Sequence, residues 1–155
     1  MRAELAKVEL DESLERITVP PDTLKQRLRK HDLHPAIATE PLQLFENGHF
    51  NEAVRKAAER FEAKVQEMFS SSDLHGRNLM GQAFNSDTLL AIEQLRPVNR
   101  KDFVDGFRFL AMGMMAAARN VFSHGDEERR SPEECFEMLM FVNWMFRGLR
   151  DSEAR

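Results

Sequence analysis

Tyrosine is absent from this sequence, and cysteine and tryptophan occur once each. With Cys135 alone, an internal disulfide is impossible and Cys-rich or CxxC metal sites are excluded. Alternating β-branched stretches are missing apart from Ile17-Thr18-Val19, so strand signals are weak nearly throughout. No run approaches the roughly 20 apolar residues of a membrane span. The richest, Phe107 to Ala118, is interrupted by Arg108. A cationic excess is lacking too: 22 Lys and Arg stand against 26 Asp and Glu, for a formal net charge of -4. That balance argues against a broad basic nucleic-acid surface and leaves any RNA contact to a few local arginines. The opening residues mix charges without an apolar segment, unlike a signal peptide. The expectation is a soluble protein of a reducing cytoplasm, with no membrane partner.

What is present is helical spacing, with 12 Phe and 9 Met to carry a core. Ala3 to Arg16 fits a helix with Leu5 and Val8 on its apolar side, stopped by Pro20-Pro21. Asp22 or Thr23 can cap a short basic helix bearing Lys25, Arg27, Arg29 and Lys30. Pro35 suits a first helical turn leading to Ile37, Leu42, Leu44 and Phe45, and Asn47-Gly48 ends that element. Phe50 to Phe69 is the clearest long helix. Its apolar positions are Ala53, Val54, Ala57, Phe61, Val65 and Met68, with Lys56, Glu59, Arg60 and Glu62 on a polar side.

Beyond it, SSSDLHGRN reads as a turn and Leu79 to Phe84 as an apolar patch. Ser86 or Asp87 can cap a short helix through Glu93, and Pro97 and Asn99 mark a loop. Asp102 then opens a second long helix towards Ala118, crowded at its end by Gly113, Ala116, Ala117 and Ala118. Ser131 and Glu134 have capping-box spacing around Pro132, at the start of a last apolar helix. The fold expected is all-α, a single bundle of four to five helices. Residues 1–33 form an N-terminal arm that can bind a partner or build a dimer, and residues 34–152 form the helical domain.

One constellation offers chemistry: RNVFSH at 119–124, at the end of an apolar helix and before an acidic turn. Arg119 presents a permanent forked cation that fits a phosphate. His124 titrates near neutrality and can accept or donate a proton. RNA brings its own nucleophile, the 2′-hydroxyl, so a base and a cation suffice without metal. On spacing alone a plainer reading stands beside this one. His124 then caps the helix C-terminus, and Arg119 pairs on the surface with Asp126 or Glu127.

The RNVFSH segment resembles the R-(polar)-x-x-x-H signature of HEPN domains. HPAI at 34–37, LFENGHFNEAVRKAAERFE at 44–62, LMGQAF at 79–84 and DGFRFLAMGMMAAARN at 105–120 resemble the Abi-like, Ymh-type HEPN family, in the family's order. The resemblance implies a helical bundle that pairs as a homodimer, with two motif copies across a cleft. It implies metal-independent RNA cleavage, with Arg119 as phosphate binder, His124 as acid or base and Asn120 as the polar residue that orients the site. It also implies a toxin or abortive-infection role, restrained by an antitoxin, regulator or sensor. Val121 and Ser123 depart from the Pro and small residue frequent in the family. Without that Pro the preceding helix is free to run on.

No cofactor and no metal site is expected. His34 and His49 read as packing and capping residues at helix starts, and the His31/His34 pair lacks the ligands of a metal site. Lys56 and Glu59 read as a solvated face. The alternative has Glu59 as the residue that orients His124. Cys135 and Trp144 read as core or interface positions. A non-catalytic helical module that binds RNA, nucleotide or a partner protein is the competing functional reading.

Overall fold

Proline sets where most of the described helices begin. The computed structural model describes residues 19–121, the last three by backbone alone, and 130–150. The expected helix from Ala3 to Arg16 and the tail after Arg150 lie outside these residues. Among the described residues there are six α-helices and no strand. They are α1 (Pro21–Lys30), α2 (Glu40–Glu46), α3 (Phe50–Met68), α4 (Gly76–Ala83), α5 (Pro97–Met114) and α6 (Pro132–Arg147). A π-helical segment, Met115–Val121, extends α5. Helices α1, α2, α5 and α6 each carry Pro at the first or second position. There the missing N–H costs nothing and the fixed φ already suits a helix.

This constraint corrects three expected starts. Neither Asp22 nor Thr23 caps α1; the helix begins one residue earlier, at Pro21, with no side-chain cap. Pro35 opens a turn, and α2 starts only at Glu40-Pro41. Pro97 is the first residue of α5 and not part of a loop, so Asp102 lies inside the helix. At α6 the capping box forms as its spacing predicts: Ser131 Oγ accepts from Glu134 N–H, and Glu134 reaches back to the Ser131 N–H. Gly48, at φ +86°, closes α2 in the left-handed conformation that glycine adopts without a Cβ penalty.

Helix α3 is the centre. It packs on α2, α4, α6 and the π-segment. Ala53, Val54, Ala57, Ala58, Phe61 and Val65 are fully buried along it. The small side chains let neighbouring helices approach, and Phe61 fills the space between them. Its ring meets Phe146 edge-on at 5.2 Å and lies 6.5 Å from Phe84. Phe84 in turn meets Phe107 edge-on at 5.0 Å, which joins α5 to the same aromatic cluster.

The segment expected as a helix from Ser86 to Glu93 is not one. The Ala91 N–H donates to Gly148 O at 2.9 Å and the Arg150 N–H to Leu89 O at 2.7 Å, forming an isolated antiparallel bridge between Leu90 and Leu149. Ser86 and Thr88 hydroxyls bond each other at 3.0 Å instead of a helix end. The turn-like SSSDLHGRN already becomes α4 at Gly76. No described helix is long and apolar enough to cross a membrane.

Leu24 and Leu28 of α1 are buried in the shared core, and α1 packs on α6. Arg147 adds an ion pair to Asp32 at 3.4 Å. Leu24→Ala should therefore lower unfolding stability by about 2–5 kcal/mol, the range for a buried Leu-to-Ala cavity. Urea denaturation measures this, and an effect under about 0.5 kcal/mol would mean that α1 is not seated. A second position is sterically closed: a Cβ on Gly148 would overlap Phe107 Cε2. Gly148→Ala should cost about 1–3 kcal/mol in the same assay.

Candidate functional site

The motif helix changes character as it reaches the motif. α5 runs to Met114, and from Met115 to Val121 the backbone takes the wider π form. On an α-helix, residues five apart diverge by about 140°. A π turn bonds each residue to the one five along, so it narrows that divergence. Long π segments are rare and often mark functional sites. The helix continues through Val121, in accord with the missing Pro there. Positions 119 and 120 lie within the π-segment; His124 lies outside the described residues.

The chain re-enters the described structure at Arg130, and α3 holds it there. The Arg130 N–H donates to Asn51 Oδ1 at 3.3 Å, and Cys135 Sγ–H donates to the same oxygen at 3.3 Å. Arg130 also pairs with Glu134 at 3.6 Å. The π-segment packs on α3 as well. The connection that carries His124 therefore leaves from, and returns to, elements seated on one helix.

The face of α3 that carries Asn51 continues through Arg55, Ala58 and Glu62, at three- and four-residue steps. Glu62 was expected on the solvated side, yet it is 7% exposed. The reason is a specific partner: Gly76 N–H, at the start of α4, donates to Glu62 Oε2 at 2.7 Å. A carboxylate that accepts a backbone N–H is tolerable in a core where a bare one is not.

Lys56 and Glu59 pair with each other at 3.4 Å; Lys56 also reaches Glu40 at 3.9 Å, and Glu59 reaches Arg55 at 3.9 Å. Arg60 ties α3 to the turn before α2 through Ala36 O at 3.0 Å and to the first residue of α2, Glu40, at 3.2 Å. These groups are substantially exposed, and such pairs contribute little stability.

His34 is a packing residue. It is buried and stacks on Phe146 at 4.6 Å; its Nδ1 accepts from Ala36 N–H at 3.1 Å, and its backbone N–H donates to Asn143 Oδ1 at 2.7 Å. His49 precedes α3 without a side-chain cap bond. Trp144 is half-exposed over Phe103 and Phe107. Among the described residues no group of three or more His, Cys, Asp or Glu is arranged to hold a metal ion.

Sequence reasoning missed Asn51, which holds the returning chain, and the burial of Glu62. Both lie in the family-like block at 44–62, and the signal was their common helical face.

Residues 31–149 match the family described as "Protein of unknown function (Hypoth_ymh)". No curated protein and no solved structure matches the chain.

Cys135 is buried in this frame, and its thiol is pushed up to about 12, first by burial and then by the Glu134 charge, with Arg130 opposing. It should react with a thiol reagent at pH 8 only after denaturation. The unfolded thiol loses its proton near pH 9, while the folded one keeps it to about 12. Stability should therefore fall as pH rises through that window, and Cys135→Ala should flatten that part of the profile. Urea midpoints between pH 8 and 11 check this; identical slopes would contradict it.

Proposed function

Because the chain belongs to the Hypoth_Ymh family, we propose that it is a metal-independent endoribonuclease of the HEPN type. The observation that carries the reading is the π-segment Met115–Val121, which widens the helix at Arg119 and Asn120. Arg119 and Asn120 lie in that segment, at the end of the helix that leads into the motif.

In this reading Arg119 binds the scissile phosphate and stabilises the charge that builds on it in the transition state. Asn120 orients the phosphate and the neighbouring chain. His124 takes the proton from the RNA 2′-hydroxyl. The freed oxygen forms a bond to phosphorus, and the bond from phosphorus to the 5′-oxygen breaks. That leaving oxygen takes a proton from an acid. One strand is left with a 2′,3′-cyclic phosphate and the other with a 5′-hydroxyl.

A single chain supplies one such histidine in the motif. A homodimer supplies two, so that one acts as base and the other as acid across a composite cleft. Glu59, with Lys56 beside it, orients the imidazole. The reaction suits a toxin or abortive-infection effector acting on RNA in the cytoplasm. Such an enzyme needs a restraining antitoxin, regulator or sensor; within the segment 1–33, α1 is seated on the core through Leu24 and Leu28, and its exposed basic side, with Arg27 and Lys30, is the docking element.

The test is cleavage of a mixed RNA pool in EDTA by wild type, Arg119→Ala and His124→Ala, with analysis of product ends. Wild type should give 2′,3′-cyclic phosphate ends, and each variant should be slower by about 100-fold or more, the usual weight of a positioned acid or base. Saturable RNA binding without product would favour a non-catalytic binding module. Equal rates for wild type and His124→Ala would overturn the reading.

A further inference from the structure

From Gly106 to Ala118 the exposed residues are Gly106, Phe109, Leu110, Gly113 and Ala117, and none has a polar side chain. A surface helix ordinarily turns polar residues outward, and a helix that is apolar all round is a buried one. The inward side is already filled, by Phe107, Ala111, Met114 and Ala118. Arg108 is the one charged residue in this stretch. It is drawn to the flank, where Nη1 donates to Asn85 Oδ1 at 3.2 Å and the guanidinium stacks on Phe109 at 5.0 Å. Trp144 of α6 widens the apolar face, lying over Phe103 and Phe107 while 45% exposed.

Phe109 is 63% exposed and Leu110 43%. Taking about 200 Å² for a whole aromatic side chain, these residues, Trp144 and the small residues offer on the order of 500 Å² of apolar surface. A monomer's largest patch rarely exceeds this. Two such faces together bury about 1,000 Å², the size at which specific interfaces begin.

The face is also shaped to fit itself. Gly113 lies at its middle, and a Cβ there would meet nothing within 4 Å. The bulky pair Phe109 and Leu110 stands one turn before it, and the small pair Ala116 and Ala117 one turn after it. A copy turned about a two-fold axis at Gly113 sets Phe109 on the partner's Ala117 and Leu110 on the partner's Ala116, and the same contacts recur by symmetry. Bulk then meets space in both halves, and the glycine lets the two backbones cross closely.

We propose that this face is the contact between two copies of the chain, with α5 and its π-segment crossing their counterparts at Gly113. A second copy is the occupant because the face is bulky where its own reverse is small. The pairing stands on the described residues of α5 and α6 and is independent of the ribonuclease reading.

Sedimentation of the full chain measures mass against concentration for wild type and variants, with melting temperature as a fold control. Wild type should be dimeric at micromolar concentration. Phe109→Glu should weaken pairing by about 100-fold or more, since each dimer would bury two carboxylates. Gly113→Leu adds apolar surface but fills the crossing, so it should weaken pairing as well. Gly113→Cys should form a disulfide between copies on mild oxidation, with the buried Cys135 taking no part. Val98→Cys, near the far end of α5, should not, since it lies roughly 30 Å or more from its counterpart. A monomeric wild type would overturn the proposal and give the face to a different chain. Undiminished pairing by folded Phe109→Glu, tighter pairing by Gly113→Leu, or a disulfide at Val98→Cys with none at Gly113→Cys would overturn it too.

Discussion

The edge-on contact of Phe61 with Phe146 is the interaction on which the rest of the arrangement depends. It joins the middle of α3 to the end of α6, at 5.2 Å between ring centres. Phe146 carries His34 stacked on its other partner face, and Phe61 reaches on to Phe84 and so to Phe107 of α5. A fully buried aromatic contributes both area and a preferred geometry, so this chain of rings sets the spacing of four helices at once. The alanines of α3 complement it: where Phe61 fills, Ala53, Ala57 and Ala58 let backbone come close.

Given that spacing, the ends of the motif-bearing connection have little freedom. The π-segment lies on α3, and Asn51 fixes the return at Arg130 and Cys135. A helix that is rigid because it is central thereby becomes the support for the residues of interest. A packed helix is a precise support for groups at the ends of the elements it carries. Arg55 and Glu62 share that face, the first half-buried and the second sealed by Gly76.

The long elements were legible in the sequence because their apolar period is unambiguous. α3 follows directly from Ala53, Val54, Ala57, Phe61 and Val65, and the start of α6 from Ser131, Pro132 and Glu134. What misled were residues with two local meanings. Pro97 breaks a chain or begins a helix, and only the packing of α5 decides that it begins one. Ser86 and Asp87 are good caps, but the backbone of Leu89 to Ala91 is taken by Gly148 and Arg150, 60 residues or so away. Glu62 has a polar side chain in a helical pattern, and its burial depends on an N–H of α4 that no periodicity reveals. The motif at 119–124 was visible as a string. The π form of its helix was not, since it arises from backbone bonding and not from side-chain pattern.

In the proposed reaction RNA's own 2′-hydroxyl attacks its phosphate. The most direct measurement is the cleavage rate of one RNA oligonucleotide and of its counterpart with 2′-deoxyribose only at the mapped cut site. The all-ribose strand should be cut there, and the single 2′-deoxy replacement should abolish the cut. Cleavage of both at equal rates would contradict that reaction, because the nucleophile would then have to come from elsewhere.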